Sequence, residues 1–171
     1  MVTLRCTRKL LRYLDARPAE DPPPPTGRLG DWYANLIPTH AGNLIMIVNE
    51  ETLVTVAVPT LLAEDLVHQF RARVRNLLLM LDIPLRQIEN ELGHYGEVRF
   101  AKTASRSMLG SMNDIAYNYQ FIADRNSERR ILSLSDAEFE LSNMPSPARG
   151  FIPSIVVRNL LWSTASGNGA S

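Results

Sequence analysis

Asp31-Trp-Tyr-Ala-Asn-Leu-Ile-Pro-Thr-His-Ala-Gly-Asn-Leu-Ile-Met-Ile-Val-Asn-Glu-Glu-Thr-Leu-Val-Thr-Val-Ala-Val-Pro59 is the stretch that decides the fold class. Three short runs, Trp32 to Ile37, Asn43 to Val48 and Thr52 to Val58, are rich in β-branched and aromatic residues and are separated by turn formers. His40-Ala-Gly-Asn43 and Asn49-Glu-Glu51 supply the turns. Connections this short join antiparallel neighbours, because a parallel pair requires a crossover of about a dozen residues or more. The stretch therefore predicts an antiparallel meander.

On its N-terminal side, Thr3-Leu-Arg-Cys-Thr7 alternates apolar and polar side chains, as a strand with one buried face does. Lys9-Leu-Leu-Arg-Tyr-Leu14 then changes to helical spacing. Pro18, the run Pro22 to Pro25 and Gly27 favour extended backbone, so 18–28 reads as a proline-rich surface loop within one domain. On the C-terminal side, Leu66, Phe70, Val74, Leu77, Leu78 and Leu81 recur every three or four residues, which predicts a helix with one buried stripe. Arg71, Arg73 and Arg75 read as its solvated flank, a modest patch for nucleic acid at most. Pro84 suits the first turn of a second helix carrying Leu85, Ile88 and Leu92 and ending near Gly93. Glu97-Val-Arg-Phe-Ala101 alternates again and returns to the sheet.

Further on, Met112, Ile115, Tyr119 and Ile122 mark another helix, Asp124 to Arg130 reads as a polar break, and Ile131 to Leu141 fits either a strand or a helix. A proline-broken loop over Ser146 to Pro153, a last helix over Ser154 to Trp162 and a disordered tail over 163–171 complete the chain. The expected fold is α+β: a single domain over 1–162, with a mainly antiparallel sheet packed against three to four helices.

Composition narrows the function. The 171 residues are enough to bury a real core, and 45% apolar with 21% charged residues is ordinary for a globular protein. Eighteen basic residues balance eighteen acidic ones, so no global field draws the protein to nucleic acid or an anionic membrane. No apolar run approaches the ~20 residues of a membrane span. A lone Cys6 excludes an intrachain disulfide and a cysteine zinc cluster, and a reducing cytoplasm is the expected location. His40, His68 and His94 are scattered without metal-ligand spacing, so no metal and no cofactor is expected. The basic start, Met1 to Arg17, lacks the apolar stretch of a secretory signal and reads as a folded first element.

Chemistry concentrates in Lys102-Thr-Ala-Ser-Arg-Ser-Met-Leu-Gly-Ser-Met-Asn-Asp114, which holds two cations, four hydroxyls and a terminal Asn-Asp pair. A strand feeding this segment into a helix would present hydroxyls and backbone N–H groups to an anion. The order is neither a phosphate loop nor a nucleophile elbow. Capping competes with that reading: Ser111 and Asp114 have capping-box spacing, and Ser105 could cap an earlier start. Small polar clusters at such joints are usually structural, so capping takes precedence. The second cluster is Arg5-Cys-Thr-Arg-Lys9, in which Arg5 and Thr7 share a strand face. Arg5, Lys9 and Lys102 would line one cationic face if the first strand and the Glu97 strand were neighbours; a polar edge that resists pairing explains the same residues. The candidate ligand-binding residues are thus Arg5, Thr7, Lys9, Lys102, Thr103, Arg106, Ser107, Asn113 and Asp114. Trp32 is an aromatic platform only if its ring is free, and sheet packing is the simpler use.

Arg5-Cys-Thr-Arg-Lys-Leu-Leu11, Leu29-Gly-Asp-Trp-Tyr-Ala-Asn35, Val48-Asn-Glu-Glu-Thr-Leu53 and Lys102 to Asp114, in that order, resemble a family of small bacterial proteins known as domain of unknown function 6933. The resemblance spans roughly residues 1 to 160 and implies a compact cytosolic domain, without an activity, cofactor or catalytic residue to carry over. Pro22 to Pro25 and Pro145 to Pro153 depart from that pattern. Three functions stay open: a binding or regulatory protein acting on a protein partner or as a homo-oligomer; an enzyme or toxin-like nuclease on a phosphate-bearing substrate; and an RNA- or DNA-binding module. The enzyme requires Arg5, Lys102, Arg106, Asn113 and Asp114 to converge.

Overall fold

In the computed structural model, which describes residues 1–129, 133–147 and 149–162, the meander forms as the sequence predicts. Strands β2 (Trp32–Thr39), β3 (Gly42–Asn49) and β4 (Thr55–Pro59) pair antiparallel, with Trp32 opposite Asn49 and Leu44 opposite Pro59. β4 starts later than its apolar run because the buried Asn49 side chain shapes the preceding turn. Its Oδ1 accepts from the Thr52 N–H and hydroxyl, and its Nδ2 donates to the carbonyls of Leu29 and Asp31. Leu53 in that turn takes a φ of 60°, a left-handed conformation that needs such support.

The first strand, β1 (Val2–Cys6), inserts between β2 and β5 (Val98–Lys102), and the sheet order is β4-β3-β2-β1-β5. β1 runs parallel to both neighbours, with Leu4 beside Trp32 and Cys6 beside Lys102. The sheet is therefore mixed. Parallel pairing is possible because α1 (Arg8–Tyr13) and the proline-rich segment together provide the crossover to β2.

Helices cover both faces. Val2, Leu4, Cys6, Trp32, Ile45 and Val56 pack with α1, α2 (Leu66–Met80), α3 (Leu85–Leu92) and α6 (Pro153–Trp162). Tyr33, Met46, Val48 and Ala57 pack with α4 (Arg106–Arg129) and α5 (Leu134–Ser142). The described residues thus form an α+β domain with six α-helices. Trp32 anchors the first layer: its Nε1 donates to the Tyr95 hydroxyl at 2.9 Å, its ring meets Phe70 edge-on at 5.2 Å, and Phe70 stacks on Tyr95. Completely buried, that ring cannot receive a base.

Several elements differ from expectation. α4 begins at Arg106 because the Ser105 Oγ accepts the Met108 N–H. Ser111 is a buried interior residue whose hydroxyl donates to the Ser107 carbonyl, so it caps nothing. The polar residues from Asp124 onward do not break α4, which continues to Arg129. Asp124 accepts the His40 backbone N–H, and Arg125 grips Glu140 of α5 with 2.7 and 2.8 Å contacts. The ambiguous Ile131 to Leu141 segment is helical from Leu134, started by a reciprocal Ser133–Asp136 capping box. Arg130, Ile131, Leu132 and the tail over 163–171 lie outside the described residues.

Arg73 is not part of a solvated flank. It donates from Nε and Nη2 to Glu138 Oε1, at 3.1 and 2.6 Å, and the same oxygen accepts the Ala57 N–H of β4 at 2.8 Å. Glu138 is buried and joins α2, α5 and the sheet edge. Burial pushes its carboxyl from about 4.5 up to about 7, with Arg73 pulling the other way. Between those values the folded chain holds a proton that the unfolded chain has released, so Glu138 makes stability fall as pH rises through the window. Urea denaturation from about pH 5 to 7 should show a wild-type stability that declines relative to Glu138→Gln, by up to about 1.4 kcal/mol per pH unit. A difference that stays flat across this range would show that burial does not set the proton affinity of Glu138.

The proline-rich segment is tied to the body at both ends. Ala19 bridges to Ala101 on the outer side of β5, donating its N–H to the Phe100 carbonyl at 2.7 Å. At the far end the buried Glu91 accepts the backbone N–H groups of Arg28 and Leu29. The segment thereby partly covers an otherwise open sheet edge.

Candidate binding cleft at the carboxyl ends of β1 and β5

β1 and β5 end side by side, and their continuations part there. α1 leaves to one face of the sheet and α4 to the other. In sheets of this kind the crevice at such a divergence is the usual ligand position, because no connection fills it. Here a cleft of about 590 Å³ opens. Arg5 and Ala101, partners across the β1–β5 ladder, line it together with Lys102, Thr103 and Ala104 on one side and Pro18, Ala19, Glu20 and Pro22 of the proline-rich segment on the other.

Of the residues singled out in the sequence, the cleft collects Arg5, Lys102 and Thr103. The two strands are neighbours, but Lys102 stands level with Cys6 and Arg5 with Ala101, so alternation turns the two cations to opposite sides. They meet only because Lys102 ends its strand. Lys9 is exposed on α1 and Thr7 caps that helix, while its hydroxyl donates to Asn35 Oδ1 at 2.8 Å. Neither lines the cleft. Arg106, Ser107, Asn113 and Asp114 are exposed along α4, where a rise of about 1.5 Å per residue carries the last two about 10 Å or more beyond the helix start. The five residues that an enzymatic site required do not converge.

Beneath the cleft lies a network that the sequence reading missed. Arg5 Nε and Nη2 both reach Asp31 Oδ2 at 3.0 Å, which fixes the guanidinium. The Tyr33 hydroxyl lies 3.4 Å from Glu50 Oε1 and is also hydrogen-bonded by the Ala104 backbone at the strand-to-helix joint. Burial and then the neighbouring Asp31 raise the Glu50 carboxyl above the usual range, and burial and then Glu50 raise the Tyr33 phenol. The Asp31 Oδ1 is buried with no hydrogen-bond partner among the described residues. Arg5, Asp31 with Tyr33, Glu50 and Ala104 come one each from the four motifs quoted above. Their co-occurrence was the available signal, but Asp31 and Glu50 look like ordinary turn residues when read locally. Cys6 is buried beside Arg5, and burial pushes its thiol up to about 12, which removes it as a nucleophile.

A family profile matches residues 3–154, nearly the whole of the described chain. The chain belongs to that family, the domain of unknown function DUF6933. Comparison with curated proteins and with solved structures gave no match. The matched span contains all four motifs, the network they form and every described wall of the cleft. Among the described residues no helix is long and apolar enough to cross a membrane, and no group of three His, Cys, Asp or Glu side chains is placed to hold a metal.

Proposed function

We propose that this chain is a small bacterial cytoplasmic binding or regulatory protein that takes an anionic group into the β1–β5 cleft. One observation carries the reading: a fixed guanidinium, Arg5, and an ammonium, Lys102, line the same cavity at the point where the parallel strands diverge. Lys102 enters none of the ion pairs found among the described residues, whereas Arg5 is oriented by Asp31, so one cation is positioned and the other free to close on a ligand. Glu20 on the opposite wall favours a ligand that also carries a donor. An enzymatic role has less support because Arg106, Asn113 and Asp114 lie outside the cleft. A nucleic-acid role has less because Trp32 is buried and Arg73 and Arg75 are engaged by Glu138 and Glu89. The lone, buried Cys6 supports the cytoplasmic assignment.

Calorimetric titration with inorganic pyrophosphate and with adenosine monophosphate tests this. Saturable binding should weaken about fivefold or more in Lys102→Ala and strengthen in Glu20→Gln, which removes a like charge. Equal affinity in all three proteins, or no saturable binding, would refute an anion site in this cleft.

A further inference from the structure

Of the chemistry-rich segment Lys102 to Asp114, the β1–β5 cleft takes up only Lys102, Thr103 and Ala104. Arg106, Gly110 and Asp114 follow on α4, roughly one turn apart and all exposed. Nothing inside the chain calls for glycine at position 110. Its φ is not positive, a side chain there would meet nothing within 4 Å, and glycine is among the poorest residues for a helix interior. Arg106 stands in the first turn of α4, where the helix dipole disfavours a cation. Neither Arg106 nor Asp114 enters an ion pair among the described residues. Tyr117 and Phe121 extend the stripe, and they are 72% and 61% exposed. At about 100° per residue, Arg106, Asp114, Tyr117 and Phe121 all fall within about 40° of Gly110 around the helix axis.

We propose that two copies of this chain associate through that face, their α4 helices antiparallel about a two-fold axis beside Gly110. A two-fold contact must be its own complement: where one residue meets a second on the other copy, the second also meets the first. Arg106 and Asp114 lie four residues to either side of Gly110, displaced by about 6 Å in opposite directions. With Gly110 at the crossing, Arg106 therefore meets the partner's Asp114, and Asp114 meets the partner's Arg106. The charges of the stripe thus complement themselves in the antiparallel arrangement, whereas a parallel one sets like charges level. Glycine at the crossing lets the two backbones come closer than the about 8–10 Å usual between packed helices. Tyr117, about 10 Å beyond the crossing, reaches the start of the partner's helix, and its ring leaves water there. The contact shares no residue with the β1–β5 cleft, so it stands independently of the anion site.

Sedimentation velocity of the full chain over a range of concentrations tests this. The wild type should pass from monomer to dimer as concentration rises. Arg106→Asp and Asp114→Arg each set like charges opposite one another and should weaken the dimer about tenfold or more. The double variant rebuilds both pairs in reversed order and should recover the association of the wild type. Gly110→Gln fills the crossing and should abolish the dimer. The same change should raise the thermal midpoint of the dilute, monomeric chain, because glutamine suits a helix interior better than glycine, so lost association cannot be blamed on misfolding. A chain that stays monomeric at every concentration, a dimer that tolerates Gly110→Gln, or a double reversal that associates no better than the single ones overturns the proposal.

Discussion

Arg73→Met should destabilise the fold by about 3–5 kcal/mol at about pH 8, and by clearly less at about pH 5.5. Arg73 supplies the positive charge that compensates a carboxylate with no exposed surface, at 2.6 Å. Glu138 Oε2 already lacks a hydrogen-bond partner among the described residues, and Tyr119, whose hydroxyl is likewise buried without one, adds none. Without the arginine, the chain must either keep an unpaired charge in the interior or protonate Glu138. The second route costs little at about pH 5.5, where burial already favours the protonated carboxyl with Arg73 in place, and more at about pH 8, which gives the loss its pH dependence. The double variant Arg73→Met with Glu138→Leu should recover most of the stability, since apolar replacement of both partners removes the desolvation penalty. Urea melts at the two pH values, with unchanged m-values, measure all of this. A loss below about 1 kcal/mol, or one equal at both pH values, would mean that the pair behaves as a solvated surface bridge.

The second large effect is at Trp32. Trp32→Ala should cost about 3–5 kcal/mol, because it removes the largest buried side chain of the core and leaves a cavity between the sheet and Phe70. It also strips the Tyr95 hydroxyl of its hydrogen bond from Nε1. Trp32→Phe keeps an aromatic ring but not the donor and should cost about 1–3 kcal/mol, close to the price of one unsatisfied buried hydroxyl plus a partial cavity. Thermal and urea unfolding compare the three proteins. If Trp32→Phe is as damaging as Trp32→Ala, the Nε1 hydrogen bond that both variants lose, rather than the bulk of the ring, governs this part of the core. If both are mild, Trp32 is not the anchor that its burial implies.

How much of this was legible can be judged residue by residue. The meander was, because β2, β3 and β4 are joined by short turns and the pairing of Trp32 with Asn49 needs no partner from elsewhere. The stripe Leu66, Phe70, Val74, Leu77 was, because a helix satisfies its backbone within itself. The direction of β1 was not. Alternation in Thr3 to Thr7 tells which side chains are buried and is silent about which strand lies alongside, and β5 comes from more than ninety residues away. The site divided in the same manner. Arg5, Lys102 and Thr103 were recognisable from their chemistry, and the structure brings them to one cleft. Asn113 and Asp114 were misplaced because Ser111, which has the spacing of a cap, lies one and a half turns inside α4, so the helix carries them away from its start. Glu138 gave no local sign of burial, since its partners Ala57 and Arg73 are recruited from a strand and a helix remote in sequence.

By itself, then, the sequence determined the meander, the amphipathic helices, the cationic character of the strand-to-helix joint and membership of the family. These rest on periodicity, turn chemistry and residue type, which act over a few positions. The tertiary structure alone decided that β1 separates β2 from β5, that a cleft opens where α1 and α4 diverge, and that Arg73 is held by Glu138. Those outcomes depend on which apolar faces bury one another and on where a charge can find its counter-charge. Both are properties of the packed whole, and the same local pattern is compatible with several neighbours.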